Sequence, residues 1–91
     1  MPVTLQGTLR CANAAQAELV LRHLPEHILL SRAEAGCLQF DVTRSADPLV
    51  WIVSERFTTR AAFDAHQARV KSSVWGQATA DIARSYSVTD I

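Results

Sequence analysis

Two side chains in this sequence are spaced for acid–base chemistry: His66 and Glu55. His66 follows Phe63 by three residues and precedes Val70 by four, which turns all three to one helix face. A buried neutral imidazole with a pKa near ~6.5 accepts a proton from a phenol or an enol. The structural alternative is a core histidine bonded to a backbone carbonyl or to Glu55. Glu55 shares a strand face with Trp51, Val53 and Phe57. An acid in such company needs a partner, because burying an unpaired carboxylate is costly. His66 is the natural one, and the acid would then fix its tautomer and raise its basicity. An ion pair with an arginine, across a subunit interface, is the structural alternative.

The aromatic residues Trp51, Trp75, Phe40, Phe57 and Phe63 are candidates for a ring-binding pocket or for plain core. Trp75 follows Lys71-Ser72-Ser73 and is the expected lid, and the Tyr86 hydroxyl is a further expected contact. His23 and His27 lie four apart with Pro25 between them. Two ligands do not close a zinc site, so they read as solvated surface histidines and no metal is expected. Cys11 and Cys37 make neither a disulfide scaffold nor a CxxC pair and read as free thiols serving as small hydrophobes. There is no G-x-S-x-G motif and no glycine-rich phosphate loop.

These residues must be positioned by one small domain spanning 1–91. Nine basic and nine acidic residues cancel without a basic run, so nucleic acid is not an expected partner. No apolar stretch approaches the ~20 residues of a membrane span. The start, Met1-Pro2-Val3-Thr4, does not read as a signal peptide, and a cytoplasmic location is the expectation. Hydrophobic residues make up 48% of the chain, more than so small a body readily buries, which suggests an oligomer.

Residues 3–11 alternate, with Val3, Leu5, Gly7, Leu9 and Cys11 on one side, and predict a strand. Asn13 and Gln16 resemble a capping box for a helix whose stripe is Ala17, Val20, Leu21, Leu24, Ile28, Ser31 and Ala35. Pro25 should kink or split it, and Gly36 should end it as a C-cap. Residues 37–43 predict a strand with Leu38, Phe40 and Val42 on one face, followed by a turn over 44–48. Residues 49–57 predict a strand that is apolar on both faces through Val53, and a second subunit is the expected cover for one of them. A helix from Thr58 to about residue 69, with Gln67 also on its inner side, precedes a short one over 72–83 and a closing strand through Tyr86 and Val88. The order is β-α-β-β-α-β, a ferredoxin-like α+β fold with an antiparallel sheet.

Ser31 through Phe40, with Asp47-Pro48, Glu55-Arg56-Phe57, Ala62 through His66 and the final Arg84-Ser85-Tyr86-Ser87-Val88, resemble the antibiotic biosynthesis monooxygenase family over nearly the whole chain. The resemblance implies a homodimer in which two sheets face each other as a dimeric α+β barrel. It also implies a small pocket between helices and sheet in each subunit. Well-studied relatives oxidise phenols or quinols with dioxygen and without metal or flavin, the substrate supplying the electrons as its phenolate or enolate. Haem cleavage is not implied: residues 1–11 contain no Asn, and Lys71 stands about where many relatives carry a histidine. The expected function is a cofactor-independent monooxygenase acting on a small aromatic, phenolic or quinol-type molecule. His66 would be the base, oriented by Glu55, and Trp51, Trp75, Phe40, Phe63 and Tyr86 would contact substrate. The alternative is a non-catalytic dimeric barrel that binds a small apolar ligand or has a stress-related role.

Overall fold

A computed structural model describes residues 1–90. The chain forms β1 (Val3–Arg10), α1 (Ala14–Arg32), β2 (Cys37–Arg44), β3 (Val50–Phe57), α2 (Arg60–Ser72), α3 (Val74–Ala78) and β4 (Ala83–Asp90). The strands make one sheet in the order β2-β3-β1-β4, every neighbouring pair antiparallel. The β-α-β-β-α-β order therefore holds, with α3 as a short addition before the last strand.

The pleat sets the core. Val3, Leu5 and Leu9 of β1 and Trp51, Val53, Glu55 and Phe57 of β3 point to one face and are buried there. The helices cover this face: Val20, Leu24, His27 and Ser31 from α1, Phe63 and His66 from α2, and Trp75 from α3 are buried. On the other face Ile52 is 47% exposed, so one subunit alone leaves it open.

Four local expectations are corrected. First, α1 runs unbroken through Pro25. Its buried stripe is Val20-Leu24-His27-Ser31, whereas Leu21 and Ala35 are exposed. His27 is thus a core residue and not a solvated one. Second, α1 ends at Arg32, with the Ala33 N–H bonded to the Leu29 carbonyl. Gly36 lies beyond the helix end, outside the positive-φ region, and a Cβ there would collide with the Ala62 Cβ on α2. Close packing, and not capping, is what requires glycine at 36. Third, a bulge between Cys37 and Gln39 takes Leu38 out of register with Phe40 and Val42 and leaves it exposed. Fourth, Gln67 of α2 is exposed, and the predicted helix over 72–83 shortens to Val74–Ala78.

The cap at Asn13 forms as the sequence suggests. Its side chain accepts from the Gln16 N–H at 3.0 Å, while Gln16 Oε1 accepts from the Ala12 N–H at 2.7 Å. Thr59 caps α2 and Ser73 caps α3, each accepting from the amide three residues on.

Candidate active site

His66 reaches the core from the middle of α2, and its ring is held by a residue distant in the chain. Its Nδ1 lies 2.7 Å from Glu34 Oε1, in the turn between α1 and β2. A carboxylate oxygen accepts, so Nδ1 carries the proton and Nε2 keeps its lone pair. Glu34 is itself fixed: its Oε2 accepts from Arg69 Nε at 2.7 Å, and Arg69 Nη2 donates to Ser31 Oγ at 3.0 Å. Arg69 stands one turn after His66 on α2, so the two contacts share a helix face. The chain Ser31–Arg69–Glu34–His66 ties α1 to α2 and orients the imidazole.

Glu55 approaches the other ring nitrogen. Its Oε1 lies 3.6 Å from His66 Nε2, longer than a hydrogen bond, and has no hydrogen-bond partner although it is buried. The expected pair thus forms as neighbours only, and Glu34, not Glu55, makes the hydrogen bond to His66. Burial, aided by the nearby Glu34 charge, pushes the Glu55 carboxyl up to about 7. Burial also holds His66 below its ordinary value, against the opposing pull of Glu34. Near neutral pH His66 is therefore the free base, beside an acid that can carry a proton.

A cavity of about 550 Å³ opens over these two groups. His27, Trp75 and Tyr86 line it, and Lys71 and Arg84 supply two cations. The His27 and Trp75 rings stack, with centroids 4.5 Å apart and planes 5° apart. Burial first, then His66 once it is protonated and the charges of Arg69 and Arg84, hold His27 down at about 3, so it is neutral. Its Nδ1 is buried without a partner.

The sequence-derived contacts divide. Trp75 and Tyr86 line the cavity. Phe40 does not: it packs behind the two histidines, 5.0 Å from the His27 ring and 5.4 Å from that of His66. Phe63 packs on Phe57 at 5.7 Å, and Trp51 is core, under the Arg44 guanidinium. Glu34, Arg69 and Arg84 are site residues to which the sequence analysis gave no role, and His27 is one that it placed at the surface. His27 had a signal in its seven- and four-residue spacing from Val20 and Ser31. The others become neighbours only through the fold. Among the described residues no group of three or more His, Cys, Asp or Glu is arranged to hold a metal ion.

The sequence profile of the antibiotic biosynthesis monooxygenase family matches residues 2–75. The chain belongs to that family. No curated protein matches it. Among solved structures, Rv0793 from Mycobacterium tuberculosis superposes with a TM-score of 0.78 at 22% identity, covering 100% of this chain and 95% of that one. PA3566 from Pseudomonas aeruginosa gives 0.72 at 26% identity, with 97% and 89% covered. A candidate antibiotic biosynthesis monooxygenase from Nitrosomonas europaea gives 0.73 at 22% identity, with 99% and 97% covered. Family membership makes monooxygenase-like chemistry the frame for the cavity over His66.

Proposed function

We propose that this family member is a cofactor-independent monooxygenase that oxidises a small phenolic or quinol-type aromatic with dioxygen. The observation that carries this reading is the His66 Nε2 lone pair, left free by the Glu34 bond to Nδ1, on a side chain that lines a cavity large enough for an aromatic ring. In the proposed reaction a substrate hydroxyl bonds to Nε2 and gives up its proton. The imidazolium formed is stabilised by the Glu34 carboxylate on Nδ1. Glu55, with an unpaired oxygen on the same side, bonds the substrate oxygen when protonated and takes a proton when not.

The phenolate supplies the electrons. Oxygen adds at a ring carbon bearing hydrogen to give a peroxide. Loss of water from it leaves a quinone, so that a phenol and dioxygen become a quinone and water. One oxygen atom enters the ring, the other is reduced to water, and the ring loses four electrons. His27 and Trp75 form a flat wall for the ring. The same proposal includes a homodimer closing over the open sheet face, supported by exposed Ile52 and Leu38. It also includes a cytoplasmic location, supported by two free thiols.

Oxygen uptake against a panel of naphthols and hydroquinones is the test. Uptake with quinone formation that falls sharply in His66→Gln is expected. Uptake unchanged in that variant would remove His66 as base, and no uptake with any member would remove the oxidation itself.

A further inference from the structure

The cavity contains a second set of polar groups for which the proposed proton transfer has no use. Arg84 lines it from β4. Of its five N–H donors, three are spent on the protein: Nη1 donates to the Thr79 and Ile82 carbonyls at 2.7 and 2.9 Å, and Nη2 to Thr79 Oγ1 at 2.7 Å. Thr79 is fully buried, so the guanidinium is anchored on a rigid post. The donors left over are Nε–H and one N–H of Nη2, with only the Tyr86 hydroxyl beside them. These two are the parallel side-on fork that matches the two oxygens of a carboxylate.

Among the described residues no carboxylate answers it. Arg32, Arg60 and Arg69 each pair with an acid, namely Asp41, Asp90 and Glu34. Arg84 and Lys71 have no such partner among the described residues, and of the cations without one they are the two that line the cavity. The acid that does line the cavity, Glu55, stands at its other end. Arg84 is registered with Leu9, and Glu55 with Leu5, on opposite sides of β1. That places their Cα atoms two strands and four residues apart, about 16 Å along the diagonal. The Tyr86 hydroxyl lies beside the same guanidinium, accepts from it, and keeps its own O–H to donate. A cavity with an unanswered guanidinium at one end, acid–base groups at the other and a second lining cation in Lys71 is built for a ligand polar at both ends.

We propose that the cavity binds a hydroxylated aromatic carboxylate. Its carboxylate sits side-on against Nε and Nη2 of Arg84, with Lys71 as second cation, and its hydroxyl points to His66 and Glu55. The hydroxyl's fate rests on the proposed oxidation; the anion site stands on Arg84 and Lys71 alone. A bicyclic ring carrying the two groups at opposite ends suits the span.

The test is calorimetric titration of the full chain with 6-hydroxy-2-naphthoate and with its neutral amide, which has nearly the same shape. The acid is expected to bind about tenfold tighter or more, as charge-assisted bonds require. Arg84→Gln should abolish that preference, Arg84→Lys should restore part of it, and Lys71→Gln should weaken it. Should Arg84→Gln not fold, the acid–amide ratio in the unaltered protein decides. Equal affinity for acid and amide, binding of neither at millimolar concentration, or a preference that survives in a folded Arg84→Gln overturns the proposal. Acid-selective binding together with no oxygen uptake from any naphthol or hydroquinone of the panel would sink the oxidation and leave the anion site standing. Oxygen uptake equally fast with the amide would do the reverse.

Discussion

His66 Nδ1 lies 2.7 Å from Glu34 Oε1, while its Nε2 lies 3.6 Å from Glu55 Oε1. The two carboxyls thus flank one imidazole in different roles. Glu34, bonded and paired with Arg69, sets the tautomer and stabilises positive charge on the ring. Glu55, unbonded and pushed up to about 7, is left free to meet a ligand.

Glu34 acts through His66 and is therefore a positioning residue. Glu34→Gln keeps an oxygen to accept from Nδ1 but removes the charge. Oxidation should fall by about ten- to a hundredfold, part of what acid–base catalysis contributes. Glu34 raises the His66 pKa, so its loss moves the acid limb of the rate profile to lower pH. A merely structural role would lower the rate with no shift of that limb.

Glu55 makes stability depend on pH. Its folded pKa, about 7, exceeds its ordinary value of 4.5, so the folded state binds the proton more tightly. The contribution is fully present below 4.5 and is lost as the pH rises through 7. In Glu55→Gln the group no longer titrates, and the fall in melting temperature between pH 5 and pH 8 should shrink. An identical fall in both proteins would mean that Glu55 is not perturbed as described.

His27 works in the opposite direction. Its folded pKa of about 3 lies below the ordinary 6.5, so the unfolded chain takes up the proton first. Its stabilisation is present above 6.5 and declines as the pH falls towards 3. His27→Phe keeps a ring against Trp75 and does not titrate. Thermal melts at pH 7 and pH 4.5 should therefore differ less for the variant than for the parent protein.

Gly36 and Ala62 are a packing pair. Gly36→Ala places a methyl where the Ala62 methyl already stands, and should cost about 1–3 kcal/mol. Adding Ala62→Gly opens that space and should recover part of the loss in urea denaturation. Strict additivity of the two changes would deny the contact.

Much of this molecule was legible in the linear sequence because it depends on local periodicity. Alternation in 3–11 and 49–57 marked the strands and put Glu55 on the buried face of β3; the 63-66-70 spacing put His66 inward. The cap at Asn13 needed only its neighbours. The family pattern from Ser31 to Phe40 contained Glu34 and pointed to the fold, without saying what that acid touches.

Tertiary structure decided the rest, because its causes act across the chain. Glu34 and His66 are 32 residues apart, and Glu34 and Arg69 are 35 apart. No periodicity links them; the antiparallel sheet and the helices laid on one of its faces bring them together. A bulge of a single residue turned Leu38 out, and stacking on Trp75 drew His27 in. Glu55 was placed correctly on its face, yet whether it bonded or merely neighboured His66 was a matter of less than an ångström, set by how the helices settle on the sheet. Side-chain type and spacing determine which face a residue occupies. Which atoms meet there is determined by packing between elements distant in sequence.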